Sequence, residues 1–393
     1  MRRMNERHLL QTLREQGPMS RPALSKSTGL SKITVDLVAK ELLNKAWLAE
    51  AAEPPTGSPG RRARLLSFRH DFAHVAAIDI GASRARIGVA DLSGTFISQE
   101  TADFTSADSG SEILRAIREA TNRAVQASGL KKSDIRSLCV ATPGIVDPTT
   151  MRVTLAPQLP GWDEINLVEE MSFIGDCPIH VENEVHLAVV AEQWRGAARG
   201  CDDVAYIHVG VGVGVGIVKN GVLIRGAHGG AGEIGYLPIG ASSDSTRGIR
   251  GQFEWLVGGA AYERAAQTLF SSGRGTDLLS LAGGDPAKVD ARLIYRAAES
   301  GDSEAFSIVD QILDYTAAGV ASVSSVLDPE LVILGGGISQ AGTWMLDLLG
   351  RKLETLTPIH PRILLTRLGD DAVLIGATRR AIDTCERELF GLS

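Results

Sequence analysis

The first fifty residues combine helical hydrophobic spacing with residues that end or begin helices. A leucine cluster on one helix face predicts a first helix that ends at Gly17-Pro18. Ser20 is placed to cap a short helix over 21–27. Ser31 is placed to cap a third helix that runs to about residue 44. Two short helices joined by a glycine-containing turn predict a helix-turn-helix. The leucines of the first helix are Leu9, Leu10 and Leu13.

A strand, a polar loop and a second strand are predicted after the third helix. Trp47 and Leu48 lead into the first strand, and the stretch 53–60 is rich in proline, glycine and serine. The basic segment 61–66 then leads into the second strand. A helix-turn-helix followed by strand, loop and strand predicts a winged helix-turn-helix domain over residues 1–70.

The distribution of charge favours DNA as the partner of this head. Residues 1–70 contain 13 lysines and arginines against 6 acidic residues, a net charge of +7, whereas the rest of the 393-residue chain carries −14. A basic head on an acidic body indicates that only the head meets a polyanion. The alternative is a small helical bundle with a solvated basic surface, used for protein contacts.

The usual docking geometry of a helix-turn-helix predicts which residues meet DNA. The third helix enters the major groove, and its first turn presents Ser31, Lys32 and Thr34. The remaining predicted contacts, to phosphates or to the minor groove, are those of Ser20, Arg21, Arg61 and Arg62.

From His74 onward, short buried strands alternate with helices, which is typical of an α/β fold. The first of these strands runs into Asp79-Ile80-Gly81-Ala82-Ser83 and is followed by a second over 85–90. Glycine allows close backbone approach at this turn, and aspartate can hold a metal-bound water, so the hairpin is typical of a phosphate site. A helix over 112–128 and a strand over 137–141 are predicted next.

Three later segments place glycine or polar residues beside strands. The valine–glycine alternation of 208–217 predicts one strand with a bare face open to a ligand, and the alternative is a tight hairpin packed against another backbone. Segment 331–338 predicts a buried strand, a glycine turn and a helix, which suits a phosphate at the helix N-terminus. Polar residues of 181–186 close another strand, and we expect the next helix to begin near Leu187.

In this order the motifs resemble those of the ROK family of repressors, open reading frames and sugar kinases, and its regulator branch in particular. The resemblance covers nearly the whole chain. It implies a winged helix-turn-helix (α+β) followed by an α/β, actin-like domain of two ribonuclease-H-like lobes. We place the small lobe at 71–190 with a C-terminal helix over 375–393, and the large lobe at 191–374. The most specific matching segments are 20–24, 28–35, 57–66, 141–144, 159–162, 183–184 and 232–235.

Two departures from the kinase members argue against catalysis. Glu184 stands where the kinases have the aspartate that acts as general base, and its extra methylene moves the oxygens by about a bond length. Val211 stands where a phosphate loop has threonine, so a hydroxyl donor is lost. We therefore expect no enzyme activity and no ATP or magnesium cofactor. The residues that we interpret as vestiges of a nucleotide site are Asp79, Gly81, Gly212 and Gly336.

The resemblance also shows the loss of a zinc motif. Tyr236 replaces a family histidine, and residues 242–254 contain no cysteine. Because structural zinc needs nitrogen and sulfur ligands, we predict no zinc.

The family's sugar contacts are partly retained. Carboxylates and amides suit sugars because they accept or donate hydrogen bonds in fixed directions. The alternative is that Glu233 only holds a turn and that Glu254 only caps a helix. The residues that the resemblance assigns to the sugar site are Gly144, Asn183, Glu184, Glu233, Tyr236 and Glu254.

The composition of the chain argues against secretion and against a membrane-spanning helix. The start has no apolar signal segment, and no apolar run approaches the roughly 20 residues of a membrane helix. We therefore expect a cytoplasmic protein without a membrane partner. Its four cysteines are far apart and form no metal or redox pair.

These observations predict a sugar-responsive DNA-binding regulator, a repressor of carbohydrate uptake or metabolism genes. Its expected partners are double-stranded operator DNA, a sugar or sugar derivative, and further copies of itself in a homodimer or homotetramer. Two alternatives remain: a sugar kinase with a DNA-binding head, and a partner-controlled DNA-binding scaffold without a sugar ligand.

Overall fold

A computed structural model describes residues 2–52, 64–105, 108–159, 161–239 and 251–391. It begins with three helices, α1 (Arg2–Gln16), α2 (Arg21–Thr28) and α3 (Lys32–Asn44). The Ser20 hydroxyl accepts a hydrogen bond from the Ala23 N–H at 3.4 Å. The Ser31 hydroxyl likewise accepts one from the Thr34 N–H at 3.1 Å. Both caps lie where the sequence predicts them, because short polar side chains satisfy the free N–H groups of a first helical turn.

A small antiparallel sheet completes this head. Its strands are β1 (Met19–Ser20), β2 (Leu48–Ala52) and β3 (Arg64–Phe68). They pair in the order β1-β3-β2, and Leu66 of the central strand is fully buried with the helix residues Leu10, Leu24 and Leu42. The predicted strand–loop–strand unit is therefore present, although its loop, with Arg61 and Arg62, lies outside the described residues.

The body is built on two five-stranded sheets. The first contains β4 (His74–Ile80), β5 (Arg84–Asp91), β6 (Phe96–Asp103), β7 (Ile135–Thr142) and β10 (Ile179–Asn183). The second contains β11 (Val204–Val209), β12 (Val213–Lys219), β13 (Val222–Ile224), β14 (Leu331–Gly335) and β15 (Arg362–Leu365). A short hairpin of β8 (Ile145–Val146) and β9 (Val153–Thr154) lies apart from them.

The two sheets share one topology. The first three strands of each are antiparallel, and two further strands add in parallel on the side of the first strand. The resulting orders are β10-β7-β4-β5-β6 and β15-β14-β11-β12-β13. This duplicated mixed sheet is the ribonuclease-H-like arrangement that the sequence implied, and each sheet with its helices forms one lobe.

Ten helices of the body are described. Strand β6 is covered by α4 (Gly110–Ala127), close to the predicted span, and the second lobe is rich in helices. Among the described helices, none combines the length and apolar character needed to cross a bilayer. The remaining helices are α5 (Leu167–Met171), α6 (Glu184–Arg195), α7 (Gln252–Val257), α8 (Gly259–Ser271), α9 (Thr276–Leu281), α10 (Ala291–Glu299), α11 (Ser303–Leu327), α12 (Trp344–Glu354) and α13 (Ala372–Phe390).

Helix α6 packs in backbone contact with two neighbours. A Cβ atom on Gly216 of β12 would clash with the carbonyl oxygen of Val185, and one on Gly376 of α13 with that of Leu187. Only glycine leaves room for such close approach of two backbones. Helix α6 is therefore held between the second sheet and α13, which itself packs on β4 and β7 of the first sheet.

The prediction of one long strand over 208–217 is wrong. Strands β11 and β12 form a hairpin whose turn spans 210–212, with Gly210 N–H donating to Gly212 O at 3.0 Å. The alternation did not reveal the turn, because a hairpin keeps the period of two on both sides of it. The bare face at Gly216 accommodates helix α6, as the alternative interpretation proposed.

Two helix starts also differ from expectation. Helix α6 begins at Glu184, three residues before Leu187, because Asn183 caps it. After β14 the chain forms a 3₁₀ helix, Gly336–Ala341, and α12 starts only at Trp344. The predicted buried strand and glycine turn are present, but the helix that directly follows the turn is a 3₁₀ helix.

The contact at Gly216 leads to a stability prediction. We expect Gly216→Ala to lower the free energy of unfolding by about 1–3 kcal/mol, because overpacking moves α6 away from β12. Gly350→Ala is the matched control, since a Cβ on Gly350 meets nothing within 4 Å. In helix α12 it should stabilise by about 0.5–1 kcal/mol. Thermal melts of both variants check this, and equal effects would contradict the close contact.

Candidate functional site

Asn183 and Glu184 lie at the junction of the lobes, where β10 of the first sheet ends and α6 begins. The Asn183 side-chain oxygen accepts hydrogen bonds from the backbone N–H groups of Val185 at 2.8 Å and His186 at 3.2 Å. Its amide nitrogen donates to Gly144 O at 2.9 Å. Asn183 therefore caps the helix and fixes the Gly144 turn, and one amide hydrogen remains for a ligand.

The Glu184 carboxyl has an altered protonation equilibrium. Burial raises its pKa from 4.5 to about 8, and the neighbouring carboxyls of Asp79 and Glu233 add to the shift. Glu184 is therefore protonated at neutral pH. A protonated carboxyl donates one hydrogen bond and accepts others, but it does not serve as a general base.

Glu233 lies near Glu184, and Tyr236 and Glu254 lie near Glu233. Burial raises the pKa of Glu233, with Glu254 adding to the shift and His186 opposing it. Burial, Glu233 and Glu254 together raise the pKa of Tyr236. Through Glu233, these three residues are linked to Glu184, which follows Asn183 and the Gly144 turn that Asn183 holds.

A buried network that sequence reasoning missed holds the Glu233 loop to the first lobe. Glu182 accepts from Arg225 Nε at 2.6 Å, and its other oxygen lies 3.1 Å from His186 Nδ1. His186 Nε2 lies 3.1 Å from Ala231 O, two residues before Glu233. Burial alone would raise the pKa of Glu182, but hydrogen bonds and nearby positive charge hold it well below its usual range. The spacing of four between Glu182 and His186 could have indicated the pair.

In the hairpin that carries Asp79 and Gly81, the guanidinium of Arg86 pairs with the Asp79 carboxyl. Arg86 Nε and Nη2 donate to Asp79 Oδ2 at 3.1 and 2.6 Å, and Nη1 donates to Asp371 Oδ1 at 3.0 Å. Burial raises the pKa of Asp79, and the Arg86 charge opposes that rise. Arg86 was missed, although a turn after Ile80 places it directly opposite Asp79 in the β4–β5 register.

The other two residues of the predicted nucleotide site lie on glycine turns near His208. A Cβ on Gly210 would lie 2.8 Å from His208 Nε2, and one on Gly336 2.8 Å from His208 Cε1. The imidazole therefore occupies the space between the two turns, and burial lowers its pKa to about 4, so it is neutral. At the tip of the β11–β12 turn Val211 is 68% exposed, while Gly212 lies beside Gln158 and Glu254.

In the head, the predicted DNA contacts fall on the start of α3 and on α2. Ser31 and Lys32 are exposed, and the Ser31 and Thr34 hydroxyls are 2.8 Å apart. Ile33, which sequence reasoning passed over, is 74% exposed between them. The sequence could have indicated Ile33, because it is an apolar residue that lies off the buried face in the first turn of the predicted recognition helix.

Arg21 is not a free cation in this structure. It forms ion pairs with Glu50 and, at 3.2 Å, with Asp36. Glu50 also binds Arg64 at 3.1 Å. Arg21 thus joins α2 to α3 and to the β2 strand of the head.

Comparison with known proteins identifies the body. The profile of the ROK family matches residues 75–383, which begin just after the head. The chain belongs to the ROK family.

Individual ROK proteins extend this match to the head. The xylose repressor of Caldicellulosiruptor bescii is 26% identical over 387 residues, 97% of this chain and 96% of the repressor. A ROK family transcriptional regulator, homologous to the E. coli Mlc protein, has a similar structure, with a TM-score of 0.81 at 22% identity over 99% of this chain and 98% of that chain.

The structural similarity to a kinase is restricted to part of this chain. A ROK glucokinase from Streptomyces griseus, solved with glucose and AMPPNP, gives a TM-score of 0.67 at 27% identity. It covers 79% of this chain but 99% of the kinase. The two-lobed, actin-like fold of the body is thereby confirmed.

The position of Glu184 predicts a pH effect on stability. In the unfolded chain Glu184 ionises near pH 4.5, whereas the folded chain keeps its proton to about pH 8. Between these values stability falls as pH rises, by at most about 1.4 kcal/mol per pH unit. We expect the melting temperature of Glu184→Gln to fall less between pH 5.5 and 8, because glutamine cannot ionise. The exposed-site control Glu119→Gln should parallel the wild type, and parallel curves for all three proteins would contradict the assignment.

The Arg86–Asp79 pair predicts a large effect of removing one partner. We expect Arg86→Gln to destabilise the protein by about 3–5 kcal/mol, because the buried Asp79 carboxylate loses its cation. The double variant Asp79→Asn with Arg86→Gln should recover most of that loss. Arg84→Gln, on the same strand but exposed, is the control and should change stability by less than about 0.5 kcal/mol. Additive effects of the two substitutions, measured by denaturant unfolding, would rule out the pair.

Proposed function

We propose that this ROK protein is a repressor whose head binds operator DNA and whose body binds a sugar that changes operator affinity. The observation that carries the proposal is the coverage of the matches: similarity to a repressor spans 97% of this chain, whereas similarity to a kinase spans 79% of it. The same reasoning favours a homodimer or homotetramer, because paired heads read paired half-sites.

The head acts as a winged helix-turn-helix in this proposal. Helix α3 enters the major groove with Ser31, Lys32 and Thr34, and Ile33 supplies an apolar contact suited to a thymine methyl group. Arg21 reaches a phosphate by exchanging its ion pairs, which costs little because partly exposed pairs are weak. Ser20, Arg61 and Arg62 complete the proposed DNA contacts.

The sugar site uses the cluster around Asn183. The protonated Glu184 donates to one sugar hydroxyl, and Glu233 and Glu254 accept from others. Tyr236, 43% exposed, offers its ring or its hydroxyl, and Gly144 lets the ligand approach the backbone. So many carboxyl groups in one site favour an uncharged sugar over a phosphorylated one.

Three side chains near the proposed sugar and former nucleotide sites argue against kinase chemistry. Glu184 carries a proton at neutral pH, so it does not remove one from a sugar hydroxyl. Arg86 neutralises the aspartate, and His208 fills the space between the glycine turns. We therefore propose that the protein neither binds ATP and magnesium productively nor transfers phosphate.

Helices α6 and α13 provide the route from sugar to head. Helix α6 begins at Glu184 in the sugar site and packs along α13. At the other end of α13, Arg7 of the head donates to Phe390 O at 2.9 Å, and Arg14 forms an ion pair with Glu386. The Phe390 ring lies 4.6 Å from the Trp47 ring of the head. A shift of α6 on sugar binding thus acts on the orientation of the head.

This coupling is tested by operator binding in the presence of sugars. We expect at least one sugar from a panel of neutral pentoses and hexoses to change operator affinity by about 5–150-fold. Glu233→Gln should remove the response and leave sugar-free operator affinity intact, while Lys32→Ala should weaken operator binding at every sugar concentration. Glu119→Gln serves as the matched control. Fluorescence anisotropy with labelled operator fragments measures both quantities.

Two outcomes would overturn the proposal in different ways. ATP turnover near ordinary kinase rates, about 1–100 per second, would favour the sugar kinase with a DNA-binding head. Absence of any sugar that raises the melting temperature would favour the partner-controlled scaffold, because a ligand of the native state must stabilise it.

A further inference from the structure

A second cleft lies between the head and the body, and it shares no lining residue with the sugar site. Its volume is about 980 Å³. Helix α1 of the head forms one wall, helices α6 and α13 another, and the chain at 198–202 and 221–225 closes it. Its size is that of sites for small molecules.

The positive charge in this cleft is incompletely neutralised on the α13 side. Five arginines and four acidic residues line it. Arg14 pairs with Glu386, Arg379 with Asp383 at 2.5 Å, and Arg225 with Glu182 behind the wall at 2.6 Å. Among the described residues the two remaining arginines, Arg380 and Arg387, have no carboxylate partner.

Arg380 lacks an acceptor where it needs one. Its Nε atom is buried and has no hydrogen-bond partner among the described residues. Burial lowers its pKa, and the charges of Arg225 and Arg387 add to this effect, whereas Cys139 and Glu182 oppose it. The neighbouring carboxylate of Glu182 already pairs with Arg225 and with His186. A buried guanidinium N–H without an acceptor is costly, and because Arg380 also lines the cleft, this indicates an anionic ligand there.

His180 shows that the charge of Arg380 also acts behind the wall of the cleft. His180 does not line the cleft, and its Nε2 atom lies 3.6 Å from the Glu182 carboxylate. Burial lowers the pKa of His180, and the charge of Arg380 adds to that effect. Glu182 is thus shared among Arg225, His186 and His180, and it is not available as the partner of Arg380.

We propose that this cleft binds a small anionic metabolite, whose phosphate or carboxylate group is held by Arg380 and Arg387. Guanidinium groups match both anions through paired N–H donors. Glu15 and Asp202 also line the cleft, and the arginines without a carboxylate partner lie only on the α13 wall. That confinement suits a small ligand and disfavours a polyanion such as nucleic acid.

The ligand would contact head and body at once. Gln11, Arg14 and Glu15 of α1 line the cleft opposite α13. An anion there competes with Glu386 for Arg14 and so acts on the same joint as the sugar, from a separate site.

Thermal shift and calorimetry with sodium pyrophosphate and sodium citrate, at ionic strength matched with sodium chloride, test this proposal. We expect at least one probe to stabilise the wild type, and Arg387→Gln, an exposed position, to weaken its binding about tenfold or more. Arg380→Gln should do the same, with circular dichroism confirming its fold. Arg118→Gln, an arginine of the first lobe that pairs with Glu170, is the matched control and should bind normally.

Three results would overturn it. They are no stabilisation beyond that of sodium chloride, undiminished binding by Arg387→Gln, and loss of binding in the sugar-site variant Glu233→Gln. The last result would assign the anion to the sugar site.

Discussion

The structure depends on the backbone contact of helix α6 with its neighbours at two glycines. Gly216 lets α6 lie against the second sheet, and Gly376 lets α13 lie against α6. A side chain at Gly216 would push α6 away from the second sheet. A side chain at Gly376 would push α13, which reaches the head, away from α6. Because packed interiors do not deform continuously, a displacement of α6 must be met by a displacement of α13. The glycines thereby make one mechanical unit of the lobe junction and the head.

The body has the two-lobed fold that it shares with a glucokinase, and its own side chains fill the region where we propose that a nucleotide site has been lost. Arg86 places a positive charge beside Asp79, and His208 fills space between the glycine turns. Burial, with the carboxyls of Asp79 and Glu233, raises the pKa of Glu184 to about 8. These contacts are internal to the chain, so they involve no bound nucleotide. In the proposed function, sugar binding is thereby separated from phosphate transfer.

Local signals in the sequence predicted most elements, whereas the candidate sugar residues came from the resemblance to the ROK family. The caps at Ser20 and Ser31 were predictable because capping depends on neighbouring residues alone. The β11–β12 hairpin was not, because its turn leaves the period of two unbroken. The contact of Arg86 with Asp371, 285 positions away, needs the closed fold. Likewise the protonation of Glu184 depends on burial among distant carboxyls, which no local pattern encodes.

Helix α13 also joins the head to residues that are far from it in the sequence. Buried residues of the head such as Leu9 and Leu66 belong to one hydrophobic cluster with Ile382 and Phe390 of α13. Arg7 and Arg14 contact Phe390 and Glu386, which lie 383 and 372 positions further along the chain. Contacts that close such long loops form late in folding, after the local contacts within the head. The head therefore gains a fixed orientation only once α13 has docked.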